Sequence, residues 1–343
     1  MNIAFFSKDL PSDQPNGVSV QVHRLASALT DLGHQVSCFS FSPASKNAAY
    51  QVTCFPWSGS AKILQKFAPA LKFSRVDRSP FDIVHYHGDD YLCPGSPKRI
   101  RTFYGSARDE ALHAKSPGRF FYQTLFHALE LISCLRKGTL VGISRATKRA
   151  LPRIQQVIPP GVPFDRFSPD PKLKTGHPSI LFIGDFKSRK QGDLLLRVFQ
   201  DTLLPAHPQT TLTVVGPKSI TSPNVHCLGR ISEQELVTEY RKAWIYCLPS
   251  SYEGFGVPAI EAMASGCAVV ALKNAGTMEL IDHEKTGILC TKETLGTSLK
   301  KMIEAVGLRK RLMKNGEERS RDFDIKKCAK KYEEVYRKAT GKK

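Results

Sequence analysis

The feature that leaves this chain fewest choices is a strand–helix alternation that runs twice. Asn2-Ile3-Ala4-Phe5-Phe6 is an apolar run of strand length. After a loop rich in Pro, Ser and Asp, Val18, Val22, Leu25, Ala26 and Leu29 fall at helical spacing. Gly33 closes that helix and residues 35–41 resume as a strand. Further strands are expected at 82–87, 100–104, 139–143 and 156–158. Pro159-Pro160-Gly161-Val162-Pro163 and the stretch 168–178 read as a linker, and the alternation then restarts. Strands are expected at 179–183, 211–215, 225–228, 244–248 and 268–272, with helices at 192–204, 233–243 and 258–264. Repeated strand–helix–strand units predict a parallel sheet with helices on both faces. A chain of 343 residues exceeds one ordinary core. The expected fold class is therefore α/β, with two Rossmann-like doubly wound domains in series, facing across a cleft at the carboxyl ends of their strands.

Chemistry concentrates in the second repeat, in Pro249-Ser250-Ser251-Tyr252-Glu253-Gly254-Phe255-Gly256-Val257-Pro258 and the residues that follow. A turn-rich loop feeds a helix there; Pro258 suits its first position, and Gly266 its end. Glycines leave backbone amides uncovered, and a helix start adds unpaired N–H groups and partial positive charge, so phosphates and sugar hydroxyls bind well at such a place. Glu253 and Glu261 flank it, and a carboxylate accepts strongly from paired hydroxyls. Read as a first-turn acid, Glu261 alone would simply support the helix N-terminus.

The bulk numbers set the frame. Hydrophobic residues make up 41% and charged residues 24%, as in a soluble globular protein, and no apolar run approaches bilayer length. The N-terminus reads as a first strand rather than an export signal. The nine cysteines form no CxxC pair, which speaks against zinc or a disulfide framework and points to the cytosol. With 50 Lys+Arg against 31 Asp+Glu, the net charge of +19 calls for an anionic partner without choosing among nucleotide, nucleic acid, acidic glycan and membrane.

The whole pattern resembles the retaining glycosyltransferases of family 4, whose architecture is GT-B: two facing Rossmann-like domains. The likeness is densest from Gly229 to Leu289, through Leu228-Gly229-Arg230-Ile231-Ser232, the Glu253–Glu261 phrase, and Gly276-Thr277-Met278-Glu279. Val157-Ile158-Pro159-Pro160-Gly161 resembles the family linker, with Pro163 where an Asp is usual. The resemblance implies an acceptor domain over 1–165, a nucleotide-sugar donor domain over 166–322, and a helix over 323–343 crossing back to the first domain. It also implies that Glu261 binds ribose hydroxyls, and that Glu253 with the amides of Gly254, Phe255, Gly256 and Val257 meets the donor sugar. Gly17 is implied to approach the diphosphate. No metal or other cofactor is implied, so cations must steady the departing diphosphate; Lys190 matches the family lysine and Arg189 replaces a missing arginine.

Two positions depart from the family. Asp185 stands where an Arg is frequent, and Tyr104 where many members carry a His in contact with the donor sugar. His85 and His87 end the preceding strand and are further sugar-proximal candidates, with structural roles as the plainer reading. Asp89, Asp90, Arg108, Asp109 and Glu110 are read first as ordinary loop polarity and second as an acceptor pocket.

Residues 61–78 mix Ile63, Leu64, Phe67, Leu71 and Phe73 with Lys62, Lys66, Lys72, Arg75 and Arg78, a pattern compatible with peripheral contact at the cytoplasmic face of an anionic membrane. Pro69 is expected to interrupt this helix. The last helix carries an apolar stripe, Ala329, Tyr332, Val335 and Tyr336, among lysines. The expected activity is sugar transfer from a UDP- or GDP-linked donor to a glycan or lipid-linked acceptor, the alternative being a non-catalytic nucleotide-sugar-binding or partner subunit on the same fold. A nucleic-acid partner is not expected, since no such motif appears. Neither half opens with GxGxxG, which argues against a dinucleotide dehydrogenase.

Overall fold

The structure, a computed structural model, describes residues 1–11, 16–45, 48–57, 64–114, 116–216 and 220–341. The chain divides into two compact units. The first takes Met1–Leu112, Ser116–Gly161 and the tail from Ile325; the second takes Val162–Asp324 together with the short stretch 113–115.

The first unit is built on β1 (Asn2–Phe6), β2 (Gln35–Ser40), β3 (Gln51–Cys54), β4 (Ile83–Tyr86), β5 (Arg99–Phe103), β6 (Thr139–Gly142) and β7 (Gln156–Val157). All pairings are parallel, in the order β3-β2-β1-β4-β5-β6-β7. Its helices before the linker are α1 (Gly17–Asp31), α2 (Leu64–Ser74), α3 (Ala107–Leu112), α4 (Pro117–Leu135) and α5 (Arg145–Ala150). Central strands covered on both faces must be apolar throughout, and β1 and β4 are fully buried past their first residue. One face holds Phe5, Leu25, Leu29 and Ile100 with Tyr332 and Tyr336 of the last helix; the other holds Phe6, Phe73 and Tyr86. Asn16 caps α1 through a reciprocal box with Ser19.

The second unit repeats the plan with β8 (Ser179–Ile183), β9 (Thr211–Val215), β10 (Val225–Gly229), β11 (Ile245–Leu248), β12 (Ala268–Leu272) and β13 (Ile288–Cys290), ordered β10-β9-β8-β11-β12-β13 and again parallel. Its helices are α6 (Gly192–Val198), α7 (Leu204–Ala206), α8 (Glu233–Lys242), α9 (Val257–Ala264), α10 (Thr277–Leu280), α11 (Leu295–Glu304) and α12 (Val306–Ser320); α13 (Ile325–Thr340) returns to the first unit and packs on α1. The turn after α9 is a Schellman motif: Gly266 N–H donates to the Met263 carbonyl at 3.0 Å and Cys267 N–H to that of Ala262 at 2.8 Å.

In both sheets the strand order reverses beside the first strand of the unit, between β1 and β4 and between β8 and β11. Diverging connections leave a crevice at the carboxyl ends of such strand pairs, where doubly wound sheets bind ligands.

Four local expectations need correction. Strands β3 and β13 were absent from the sequence reading: β3 is an edge strand with mostly exposed side chains, and β13 is only three residues long. Pro69 lies inside α2 without ending it, because one missing amide removes a single i→i−4 bond from the ladder. Residues 192–204 are not one regular α-helix, since Phe199–Leu203 widens into a π segment. Pro258 is the second residue of α9, whose start is set by Gly256.

Candidate donor site

The site grows from the loops after β8 and β11, the strands flanking the reversal in the second unit. These loops are tied together by backbone. Ser251 N–H donates to the Arg189 carbonyl at 2.9 Å, and Gln191 Nε2 donates to the Pro249 carbonyl at 2.9 Å. Asp185 makes the first loop turn by accepting from Ser188 N–H at 2.6 Å and from its hydroxyl at 2.5 Å. That engagement explains an acid at a position where a cation was expected from the family: Asp185 shapes the loop that presents Arg189 and Lys190.

Those two cations converge on one carboxylate. Lys190 Nζ lies 2.7 Å and Arg189 Nη1 3.2 Å from Glu253 Oε1, and Arg189 also donates to the Tyr252 carbonyl at 2.8 Å. Glu253 is buried, whereas both cations keep part of their surface in solvent. Burial pushes the Glu253 carboxyl up, but the charges of Lys190 and Arg189 outweigh it and hold the group below its ordinary value. The cluster is one negative charge between two positive ones, with a surplus of cation beside a helix start.

A third loop braces it. Asn274, after β12, donates to the Ser250 carbonyl at 3.0 Å and accepts from the N–H groups of Gly276 and Thr277, each at 3.1 Å. Gly276 fits so closely that a Cβ would stand 2.4 Å from the Glu253 carbonyl oxygen. Gly256, the residue preceding α9, has φ of 102°, a conformation that favours glycine. Phe255 turns its ring into the core against Phe323, at 5.3 Å between centroids, and its backbone nitrogen packs beside Gly276.

Glu261 is the fifth residue of α9, beyond its first turn, because the helix begins at Val257. A helix-supporting acid is thereby excluded as the account of Glu261. Its carboxylate is buried and accepts from the Tyr240 hydroxyl at 3.0 Å. The loops after β8 and β11 thus carry Arg189, Lys190, Glu253, Gly254, Phe255 and Gly256 at one end of the sheet, Val257 opens α9 there, and Glu261 stands further along that helix against Tyr240. Asn274 and Tyr240 were missed. Asn274 precedes a helix start by a few residues, as capping side chains do, whereas Tyr240 gave no signal beyond its place in a helix.

The remaining candidates belong to the first unit. Gly17 opens α1 after β1, with no atom of the described residues within 4 Å of where its Cβ would be. His87, just beyond β4, bonds through Nδ1 to the Tyr104 hydroxyl at 2.9 Å, so these two candidates are mutual partners. His87 Nε2 is buried and has no hydrogen-bond partner among the described residues. His85 is fixed on both nitrogens, by Tyr336 at 2.7 Å and Thr102 at 2.8 Å, and is a core histidine. Burial holds both imidazoles well below their usual value, with Arg101 adding to the effect and His85 itself adding at His87. Burial drives the Tyr104 phenol upward, so it carries its proton throughout the neutral range.

Asp90 is no pocket lining: it is buried in an ion pair with Arg99, lies 3.2 Å from Arg101 Nε and accepts from Ser133 at 2.9 Å. Glu110 pairs with Gln123 at 2.7 Å and Arg119 at 3.4 Å. Asp89, at φ of 54°, has its carboxyl pushed up to about 6 by burial.

Two consecutive doubly wound units with these loops define the class: the fold is GT-B, an architecture of glycosyltransferases. The model for "Glycosyltransferase Family 4" matches residues 15–166, and that for "Glycosyl transferases group 1" matches residues 163–319. The chain belongs to glycosyltransferase family 4. It is 34% identical to the D-inositol 3-phosphate glycosyltransferase of Corynebacterium jeikeium over 39% of each chain. The chain spans about half or less of the length of several such curated relatives. Among solved structures, sucrose-phosphate synthase from Thermosynechococcus elongatus superposes with a TM-score of 0.80 at 20% identity, covering 98% of both chains. Anabaena HepE, solved with UDP and glucose, gives 0.76 at 17% identity, covering 97% of this chain and 98% of its own.

Proposed function

We propose that this chain is a retaining, metal-independent glycosyltransferase that moves a sugar from a UDP- or GDP-linked donor to a glycan or lipid-linked acceptor. One observation carries the reading: Arg189 and Lys190 share the buried carboxylate of Glu253 at the strand reversal of the second unit. Cations held there are preorganised for the charge that develops on a departing diphosphate, which is what a metal ion would otherwise supply. Glu261, buried and steadied by Tyr240, accepts from the ribose hydroxyls. Glu253 and the amides of Gly254, Phe255, Gly256 and Val257 meet the donor sugar. In the reaction the bond from the anomeric carbon to the phosphate oxygen breaks, and a bond to the acceptor oxygen forms on the same face. The acceptor proton passes to the leaving phosphate. The UDP complex of a structural neighbour supports the choice of donor class.

The test is calorimetry with UDP and GDP, followed by turnover of their sugar conjugates with and without EDTA. Nucleotide binding, transfer that EDTA leaves unchanged, and a product whose anomeric configuration by NMR matches the donor are expected. Absence of nucleotide binding together with neither hydrolysis nor transfer overturns the reading. A second reading, a nucleotide-sugar-binding partner subunit, draws on Asp185 and on Tyr104, whose phenol cannot shuttle protons near neutrality. Binding without turnover by the wild type, across UDP- and GDP-sugars, favours it.

A further inference from the structure

Asp89 carries a carboxylate to which no described residue donates a hydrogen bond. It follows β4, beside the strand reversal between β1 and β4, where a doubly wound sheet opens its crevice. Other enclosed carboxylates are engaged. Asp90 is held by Arg99 and Ser133, Glu130 accepts from Ala107 N–H at 3.1 Å, Glu253 is held by Lys190 and Glu261 by Tyr240. Asp89 is partly exposed, so a ligand can reach it, yet its solvation is reduced without a donor to compensate. Donors stand nearby, and they too are unengaged. Arg101, whose side chain is 10% exposed, has no hydrogen-bond partner among the described residues at Nε or Nη1. Its Nη1 lies 3.9 Å from where a Cβ on Gly88 would stand, and Gly88 joins His87 to Asp89. His87 Nε2 is buried and unpartnered among the same residues. With the Tyr104 phenol donating to Nδ1, the imidazole hydrogen stands on Nε2.

We propose that Asp89 binds the acceptor, its carboxylate taking two vicinal hydroxyls of an uncharged sugar ring, with Arg101 and His87 donating to oxygens of the same ring. This role rests on the transferase reading and gives its acceptor a chemical class. A hydroxyl donates and accepts at once, so a diol satisfies the carboxylate and the orphaned N–H groups together. A phosphate or carboxylate does not. It would pair with Arg101 but bring its charge against Asp89, around which Arg101 and Lys8 are already offset by Asp90 and Asp9. The basic stretch 61–78 offers no comparable set: Phe73 is buried and Phe67 stacks on Phe126, while residues 61–63 lie outside the described residues.

The test reads sugar binding apart from turnover. The full chain, with and without UDP or GDP, is titrated with the methyl glycosides of glucose, galactose and mannose and followed by saturation-transfer NMR. Glucuronic acid and glucose 6-phosphate serve as the charged counterparts. The wild type is expected to bind at least one neutral glycoside and to prefer it to the charged sugars. Asp89→Asn is expected to weaken that binding about tenfold or more, because hydrogen bonds to a charged acceptor are replaced by weaker ones. Nucleotide affinity and the thermal melt at pH 7 are expected to stay, since Asn tolerates the φ of 54° as Asp does. Asp89→Gly, at ease in the same backbone, is expected to repeat the loss. Binding of no neutral glycoside overturns the proposal, as does equal binding by wild type and both variants, or a preference for the charged sugars. Glycoside binding that depends on Asp89, in a chain that binds neither nucleotide, keeps the sugar site and overturns the transferase reading alone.

Discussion

Lys190 Nζ lies 2.7 Å from Glu253 Oε1, across two loops that leave adjacent parallel strands. The carboxylate is buried and the ammonium is not fully so. Burial alone disfavours the ionised acid, so its charge persists because the cations are there. The pair is therefore both a fastening between loops and the electrostatic core of the proposed donor site.

Removing the lysine tests the fastening. Lys190→Ala leaves Arg189 as the remaining partner, so the loss at neutral pH is expected to be about 1–3 kcal/mol, below that of a fully orphaned buried charge. The Glu253 pKa is depressed in the folded state, so its contribution is present above the ordinary carboxylate value and is lost as pH falls through the folded one. Urea unfolding of wild type and variant is expected to differ at pH 7 and to converge in acid. A gap that widens toward acid contradicts this electrostatic account.

Histidines give the first unit an acid sensitivity of its own. His85 and His87 are held neutral by burial, so protonation favours the unfolded chain once pH drops below the usual imidazole value near 6.5. Each contributes a stability loss of up to about 1.4 kcal/mol per pH unit below that point. Asp89, raised to about 6, acts in the opposite sense between that value and the usual carboxylate range, because its folded form holds the proton longer. Melting temperature against pH is expected to fall from neutrality toward pH 6 and then more gently. His87→Phe should flatten the first segment, and Asp89→Asn should steepen the second.

The alternation of the two sheets was readable because buried parallel strands must be apolar and their helices periodic, as Phe5, Leu25 and Ile180 illustrate. Where that pressure is weak the sequence is silent: β3 is a four-residue edge strand with mostly exposed side chains, and β13 is too short to show a period. Glu253 and Glu261 were visible as a spaced pair, but their partners were not. Tyr240 reaches Glu261 across 21 residues, and Asn274 reaches Ser250 across 24, contacts that only the folded sheet creates.

Two glycines should respond in opposite ways to a methyl group. At Gly276 the added carbon meets backbone atoms, 2.4 Å from the Glu253 carbonyl oxygen and 3.0 Å from Phe255 N, so the donor loop must shift. Gly276→Ala is expected to cost about 1–3 kcal/mol and to weaken nucleotide binding in calorimetry. Gly17 begins α1 with none of the described residues within 4 Å of an added Cβ, and Gly17→Ala is expected to leave the melting temperature unchanged or slightly higher. Equal thermal shifts for the two variants would contradict the close packing of the Glu253 loop on Gly276.

Tyr240→Phe separates the two roles open to Glu261. The ring of Tyr240 is fully buried, packed 6.1 Å from Phe167 and 5.7 Å from Tyr246 between centroids, so the change removes one hydroxyl and little volume. What is lost is the hydrogen bond to Glu261 Oε2 at 3.0 Å, worth about 1–2 kcal/mol because the acceptor is charged and buried. Were Glu261 simply a core acceptor for Tyr240, stability would drop by that amount and nucleotide affinity would stay. If the bond orients the carboxylate toward ribose hydroxyls, the affinity for UDP or GDP falls as well, by about five- to tenfold, because a carboxylate that has lost this orienting bond must be reordered on binding. The expected result is both losses together, with 2′-deoxy nucleotides showing the smaller difference between wild type and variant. A stability loss with unchanged nucleotide affinity would return Glu261 to a purely structural role.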